Sequence, residues 1–195
     1  QYTISIGGML YIDTTNASYK RLNVKLGNLI VGDSGIEKKT QEILTRLKDG
    51  AQKAIEIIQK YNPNFKIQDA KKQDFYDLRK NLPFELHPYF YAAIFNHEIT
   101  KNALLELQKP DYDLHKLATL INAHQEILDK KLNNTPNGMI YMMNAAENAG
   151  AKATKIVGSG GGGCFFAMTD SQKEKKVIDA ILDAGAANAF PVNLI

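Results

Sequence analysis

The strongest constraint in this sequence is a glycine run between two apolar segments, Lys155-Ile-Val-Gly-Ser-Gly-Gly-Gly-Gly-Cys164. Five of the six positions from Gly158 to Gly163 are glycine. Glycine adopts positive φ without steric cost and lets a ligand touch the backbone, but it loses more entropy than any other residue on ordering. A plain flexible hairpin loop is the bland reading, yet it has no need of such an entropy loss. Successive bare N–H groups in such a bend make an anion-binding concavity, and a phosphoryl group is the guest that suits it. Gly158, Gly160 and Gly163 satisfy G-x-G-x-x-G formally, but that fingerprint must open a helix. Here Cys-Phe-Phe-Ala-Met follows, which reads as a strand. The P-loop pattern ends in Gly-Lys-Ser/Thr, and Cys164 stands there instead.

Around this loop the periodicity predicts a mixed chain. Residues 2–12 alternate and are β-rich, which predicts a strand with Gly7-Gly8 as a bulge or close approach. Asn28–Val31 predicts a second, short strand. Ser34-Gly-Ile-Glu37 fits a capping box and predicts the start of a long helix ending before Asn62-Pro63. Residues 62–83 are polar and broken, with a helical turn near Asp74–Lys80. Helices are predicted over about 84–108 and 113–131. A further one starts at Thr135-Pro136, with threonine as N-cap and proline at the first helical position, and stops at Gly150. The last third predicts β-loop-β-α-β: strands over 153–157, 164–168 and 189–194, and a helix over 171–183. The fold class is therefore α+β in one domain over residues 1–195. A small, mainly antiparallel sheet with ferredoxin-like βαβ elements is covered by helices.

Composition narrows the function classes. Apolar residues make up 44% and charged residues 23%, close to globular averages, so wholesale disorder is excluded. No apolar run is long enough to span a membrane. A net charge of +3, evenly spread, gives no basic footprint for nucleic acid. The single cysteine, Cys164, excludes an internal disulfide and fits a reducing, cytoplasmic setting. The four histidines do not fall at zinc-like spacings, and no metal site is expected. Asn16 and Asn133 match a glycosylation pattern by chance, since no signal peptide is visible. The chain opens at Gln1 inside an apolar alternation and stops at Pro191-Val-Asn-Leu-Ile195, so both ends are expected to be cut from something longer.

The segment Lys155–Cys164, preceded by Ala146-Glu-Asn-Ala-Gly-Ala151, resembles the C-terminal glycine motif of the GHMP small-molecule kinases. The order of Gly7-Gly8, the Gly32-Asp33-Ser34-Gly35 turn, the Thr135-Pro136 helix start and the glycine loop is similar to the C-terminal half of that fold. Within the family, Asn96-His97-Glu98 in an apolar helix, Leu120-Ile-Asn-Ala-His124 and Tyr11-Ile-Asp13 resemble galactokinases. Lys39-Thr-Gln-Glu-Ile43 stands where galactokinases carry Ser-x-Tyr-Asn, and is closer to a mevalonate kinase pattern.

The resemblance implies ATP-dependent phosphorylation of a small-molecule hydroxyl, a sugar or similar alcohol, with Mg²⁺. The family's catalytic aspartate would precede Gln1, so no catalytic residue is expected in this chain and the fragment alone is expected to be inactive. Gly158, Ser159, Gly160, Gly161, Gly162, Gly163 and Asp33 are the expected phosphate- or substrate-binding residues. Helix capping beside Ser34 is the competing role for Asp33. Residues 1–33 would be the tail of a missing N-terminal domain and linking strands. A mevalonate-type kinase and a non-catalytic binding or dimerisation module are the alternatives. Apolar surface around Met9 and Phe165 is expected to favour a homodimer. His97 and His124 read as buried, hydrogen-bonded histidines, Lys155 as a solvated strand-end lysine, and Met139, Met142 and Met143 as core.

Overall fold

The computed structural model describes residues 5–192. Three strands come first: β1 (Met9–Asp13), β2 (Ser18–Leu22) and β3 (Asn28–Asp33). Helices α1 (Thr40–Tyr61), α2 (Lys72–Leu78), α3 (His87–Leu107), α4 (Leu114–Lys130) and α5 (Asn137–Ala149) follow. The chain then runs through β4 (Ala153–Ile156), β5 (Cys164–Thr169), α6 (Glu174–Asp183) and β6 (Asn188–Val192). β1 and β2 form a separate antiparallel hairpin, and the main sheet has the order β4-β5-β3-β6. Every pairing in it is antiparallel, with Asp33 opposite both Cys164 and Asn188. β5 and β6 flank β3, so β5-α6-β6 is a split βαβ unit, as the α+β reading expected.

Alternation along the strands explains the layers. Ile30, Phe165, Ala167 and Ile156 pack against Met139, Met142, Met143 and Ala146 of α5 and Val177 and Ile181 of α6. Leu29, Ala153 and Met168 face the other way, onto Leu117 and Ala118 of α4. A third core joins α1, α2 and α3 through Ile58, Phe65, Phe75, Phe90, Ile94 and Phe95. The methionine stripe is thus core filling, as expected. The free edge of β4 is closed by α4 side chains. The N–H of Thr154 donates to Asn122 Oδ1 at 3.1 Å, and that of Ile156 to Gln125 Oε1 at 3.1 Å. The opposite edge strand carries Pro191, which has no N–H to offer a further strand.

Several sequence expectations are corrected. Of the strand expected over 2–12, the described residues form β1 from Met9, with Gly7 and Gly8 at positive φ ahead of it; residues 2–4 lie outside the described residues, as does the end of the predicted last strand. β2 was not anticipated, since its Ser-Tyr-Lys-Arg-Leu sequence is almost wholly exposed and carries no apolar alternation. The strand expected at Asn28–Val31 is present and runs on to Asp33, as a central strand of the main sheet. Ser34 caps no helix: α1 starts only at Thr40. The N-cap of α5 is Pro136 rather than Thr135, whose hydroxyl accepts from Gln125 Nε2 at 2.8 Å. Phe165 is fully buried, because Gly32 lacks the Cβ that would occupy its ring position. It cannot supply exposed surface for pairing. No helix among the described residues is long and apolar enough to cross a membrane.

The turn between α3 and α4 depends on one buried carboxylate. Glu106 is 1% exposed. It accepts from Lys109 Nζ at 2.7 Å, Lys116 Nζ at 2.8 Å and the Asp113 N–H at 3.0 Å. Asp113 in turn caps α4, accepting from the N–H groups of His115 and Lys116. The hydrogen bonds from Lys109, Lys116 and Asp113 hold the Glu106 carboxyl at about 2, below its ordinary 4.5. Its stabilisation is therefore complete above pH about 4.5 and is lost as pH falls towards 2. Glu106→Gln is expected to lower the melting temperature by several degrees at pH 7 and to flatten its fall between pH 4.5 and 2. Thermal melts across that range check this; parallel curves for the two proteins would refute it.

Candidate functional site

The hairpin between β4 and β5 is closed by the Val157 N–H donating to Cys164 O at 2.9 Å. Between them Gly158, Gly160, Gly161 and Gly163 have φ of 71°, 77°, 72° and 73°, and Gly162 has 139°. All five lie in the region that L side chains avoid, which is the physical reason for the glycine run. A strand follows the loop, not a helix, so the loop is neither of the two helix-opening phosphate motifs, as the sequence indicated.

The loop is tied to two neighbours. On one side lies the non-helical segment 34–39, which follows β3 and turns at Gly35, with φ of 67°. The N–H and Oγ of Ser34 both donate to Gly163 O, at 3.0 and 2.6 Å, and the Gly163 N–H donates to Ile36 O at 2.9 Å. On the other side lies Asn134, just ahead of α5. Its carbonyl accepts from the Gly161 N–H at 2.9 Å, and its Nδ2 donates to Ser159 O at 2.8 Å. The N–H groups of Gly158, Ser159, Gly160 and Gly162 have no partner among the described residues. Ser159 Oγ makes only a 3.5 Å contact to Gly160 O. Lys38 Nζ donates to Val157 O at 3.0 Å, which sets an ammonium at the mouth of the loop.

The residues expected from sequence are brought together in part. Asp33 ends β3 opposite Cys164, one residue from the Ser34–Gly163 clasp. Its carboxylate accepts from the Gly35 N–H at 3.0 Å, so it shapes the turn and caps no helix. Among the six loop residues, Gly161 and Gly163 spend their amides on internal bonds. Lys38 and Asn134 were missed. Lys38 was placed on a helix, and only the non-helical course of 34–39 carries it to the loop. The sequence signal available for Asn134 was its position directly before the Thr135-Pro136 helix start.

No residue here is poised as a nucleophile or base. Burial and the Asp33 charge push the Cys164 thiol above its ordinary range, which keeps it protonated and unreactive. His124 is a neutral interior histidine: burial holds its pKa down to about 4, and its Nδ1 has no partner among the described residues. His97 is half-buried and bonded to Gln68 O at 3.1 Å. Lys155 is mostly buried rather than solvated; desolvation lowers it to about 8, and its Nζ donates to Ile156 O at 3.3 Å. Among the described residues no group of three or more His, Cys, Asp or Glu could hold a metal ion. The chemistry on offer is donation: four free amides, one hydroxyl and one ammonium around a concave bend.

Residues 103–187 match the family model described as GHMP kinases C terminal. The stretch includes α4, α5, the glycine loop and α6. This stretch of the chain is similar to the C-terminal region of GHMP kinases. The chain is 25% identical over 181 residues to the mevalonate kinase of Thermococcus sibiricus, covering 93% of this chain and 45% of that protein. It is 33% identical over 88 residues to the mevalonate kinase of Pyrococcus furiosus, 45% of this chain and 26% of the relative. The chain thus spans less than half the length of these curated relatives. Its fold is similar to that of Lactococcus lactis galactokinase complexed with galactose, with a TM-score of 0.79 at 16% identity over 94% of this chain and 49% of that one. The mevalonate kinase of L. major, in complex with R-mevalonate, gives 0.65 at 18% identity, over 97% of this chain and 50% of that one.

The loop geometry makes a prediction of its own. A Cβ on Gly162 would meet the carbonyl oxygens of Ile36 and Glu37 at 2.7 Å, and backbone cannot step aside as a side chain can. Gly162→Ala is expected to break the Gly163–Ile36 hydrogen bond and cost about 1–3 kcal/mol through backbone strain. Chemical denaturation and the Ile36 and Gly163 amide signals in NMR check this; an unchanged midpoint with unchanged signals would refute it.

Proposed function

We propose that this chain is the glycine-loop half of an ATP-dependent kinase that phosphorylates a hydroxyl of a small molecule, with a sugar as acceptor. The observation that carries the reading is the convergence of unpaired donors on one bend, within a stretch similar to the C-terminal region of GHMP kinases. Phosphoryl transfer needs positioning and charge stabilisation far more than covalent help from the protein. The N–H groups of Gly158, Ser159, Gly160 and Gly162 would meet the oxygens of the transferred phosphoryl group, where charge develops. Lys38 would add an ammonium and Ser159 a hydroxyl. The acceptor oxygen forms the new P–O bond as the terminal phosphoanhydride bond breaks. The acceptor's proton goes to a base outside this chain, since the described loop residues offer none. Mg²⁺ supplies charge neutralisation on the nucleotide phosphates when bound; no cluster among the described residues fits it, so its ligands are assigned elsewhere.

Mevalonate is the second acceptor. The relatives at 25% and 33% identity are mevalonate kinases, and Lys39–Ile43 leans the same way. The likeness in shape to galactokinase speaks for the fold alone. A coupled ADP-release assay on the longer protein, with galactose and mevalonate in parallel, decides between them. Release with one acceptor only is the expected outcome, and release with neither would remove both substrates. In the same assay Lys38→Met is expected to lower kcat/KM about tenfold or more, the scale of one charge-assisted contact made in the transition state. An unchanged value would take Lys38 out of the site.

A further inference from the structure

The helical layer holds a second concave feature that shares no residue with the glycine loop. Between α2, the start of α3 and the end of α4 lies a hollow of about 440 Å³, lined by Phe75, Tyr76, Arg79, Phe84, Tyr91 and Lys131 together with His87 and Pro88. That volume lies within the range of small-molecule sites. Phe84 is 83% exposed and Tyr76 51%, although both sit beside a core that could have buried them. Large aromatic side chains left in water cost free energy, so such a cluster marks a recognition surface.

Charge decides what the surface would recognise. No Asp or Glu lines the hollow. Its two cations lie over rings: Arg79 at 5.5 Å from the Phe75 centroid and 5.6 Å from that of Tyr76, and Lys131 at 5.3 Å from that of Tyr91. Ring stacking orients a cation without neutralising it. Neither Arg79 nor Lys131 forms an ion pair among the described residues, although the Glu126 carboxylate lies near enough to Lys131 for each to feel the other's charge. The contrast lies next door. A groove of about 550 Å³ shares Tyr91 and Lys131 with the hollow, and its other cations are paired, Lys72 with Glu98 at 2.9 Å and Lys130 with Glu126 at 2.6 Å. Lys131 thus stands between the hollow and the Glu126 carboxylate, while Arg79 has no carboxylate partner among the described residues.

We propose that this hollow is a binding site for a small aromatic anion. Its ring would stack on the open faces of Phe84 and Tyr76, and its carboxylate or phosphate would bridge Arg79 and Lys131. Arginine suits this role because its planar fork stacks on rings and pairs bidentately with an anion. Lys131 follows α4 directly and opens the turn that runs on to Asn134, so an occupant would sit at the far end of the segment that clamps the glycine loop. The assignment does not depend on the kinase reading.

The test is a titration of this chain with 1-naphthoate, followed by NMR of its aromatic signals. The neutral 1-naphthalenemethanol and the non-aromatic cyclohexanecarboxylate serve as comparison probes. Saturable binding of naphthoate is expected, with shifts at Tyr76, Phe84 and Tyr91, and at least tenfold weaker binding of the other two probes. The double variant Arg79→Gln, Lys131→Gln is expected to abolish the preference for the anion, and Phe84→Ala, which removes an exposed side chain, to weaken naphthoate while leaving the melting temperature unchanged. Equal binding of all three probes, shifts confined to other residues, or a preference that survives the double variant would overturn the proposal. So would concentration-dependent pairing in light scattering that Phe84→Ala abolishes, since a second copy would then be what covers the hollow.

Discussion

The clasp between Ser34 and Gly163 is the interaction on which the candidate site rests. Two donors of one residue, its N–H and its hydroxyl, converge on one carbonyl, and the return bond from Gly163 to Ile36 closes the pair. This joins the glycine bend to the segment that follows β3, a central strand of the main sheet. A polyglycine segment has little conformational preference of its own. Its shape comes from the strand on one side and Asn134 on the other, and both are fixed by elements with large buried faces. Removing either tether would return the loop to the many conformations that glycine permits.

The same bonds sort the amides into two kinds. Those of Gly161 and Gly163 are consumed in holding the loop, and those of Gly158, Ser159, Gly160 and Gly162 are left over. A bend that satisfied all its donors internally would be stable and inert. Here the surplus, with Lys38 at the mouth, creates a region of donor excess. The thiol beside it is held protonated, which fits the charge-stabilising role proposed for the loop, with bond-making left to other groups. The two lysine-bearing features therefore differ in kind: Glu106 gathers lysines to fix a turn, whereas the glycine loop keeps amides unpaired beside Lys38.

Much of the architecture could be read from the residues because local chemistry set it. Asn62-Pro63 and Lys109-Pro110 end helices, Gly150 stops α5 in a left-handed conformation, and Asp113 caps α4 through its own carboxylate. What went astray did so for a common reason. Ser34 carries the local pattern of an N-cap, but its hydroxyl is taken by Gly163, which is 129 residues away along the chain. Thr135 has the same pattern, and its hydroxyl is taken by Gln125. Lys155 looked like a solvated strand-end residue until the packing of α4 over the sheet buried it. For Ser34 and Lys155 the deciding neighbour lies far along the chain, and for Thr135 it lies ten residues back on the preceding helix; in each case the packing of one element on another, not the local pattern, decided the outcome.

By itself the sequence determined where glycine must stand, which segments are helical, and that the loop connects two strands, because these follow from steric freedom, capping and the period of apolar residues. Tertiary structure decided which amides remain free, where Lys38 lies, and that Asp33 shapes a turn instead of capping a helix. It also left Phe84 and Tyr76 exposed beside a hollow. The clasp of Ser34 on Gly163 and the place of Lys38 depend on hydrogen bonds between segments more than a hundred residues apart, and such pairings are set by the packing of whole elements.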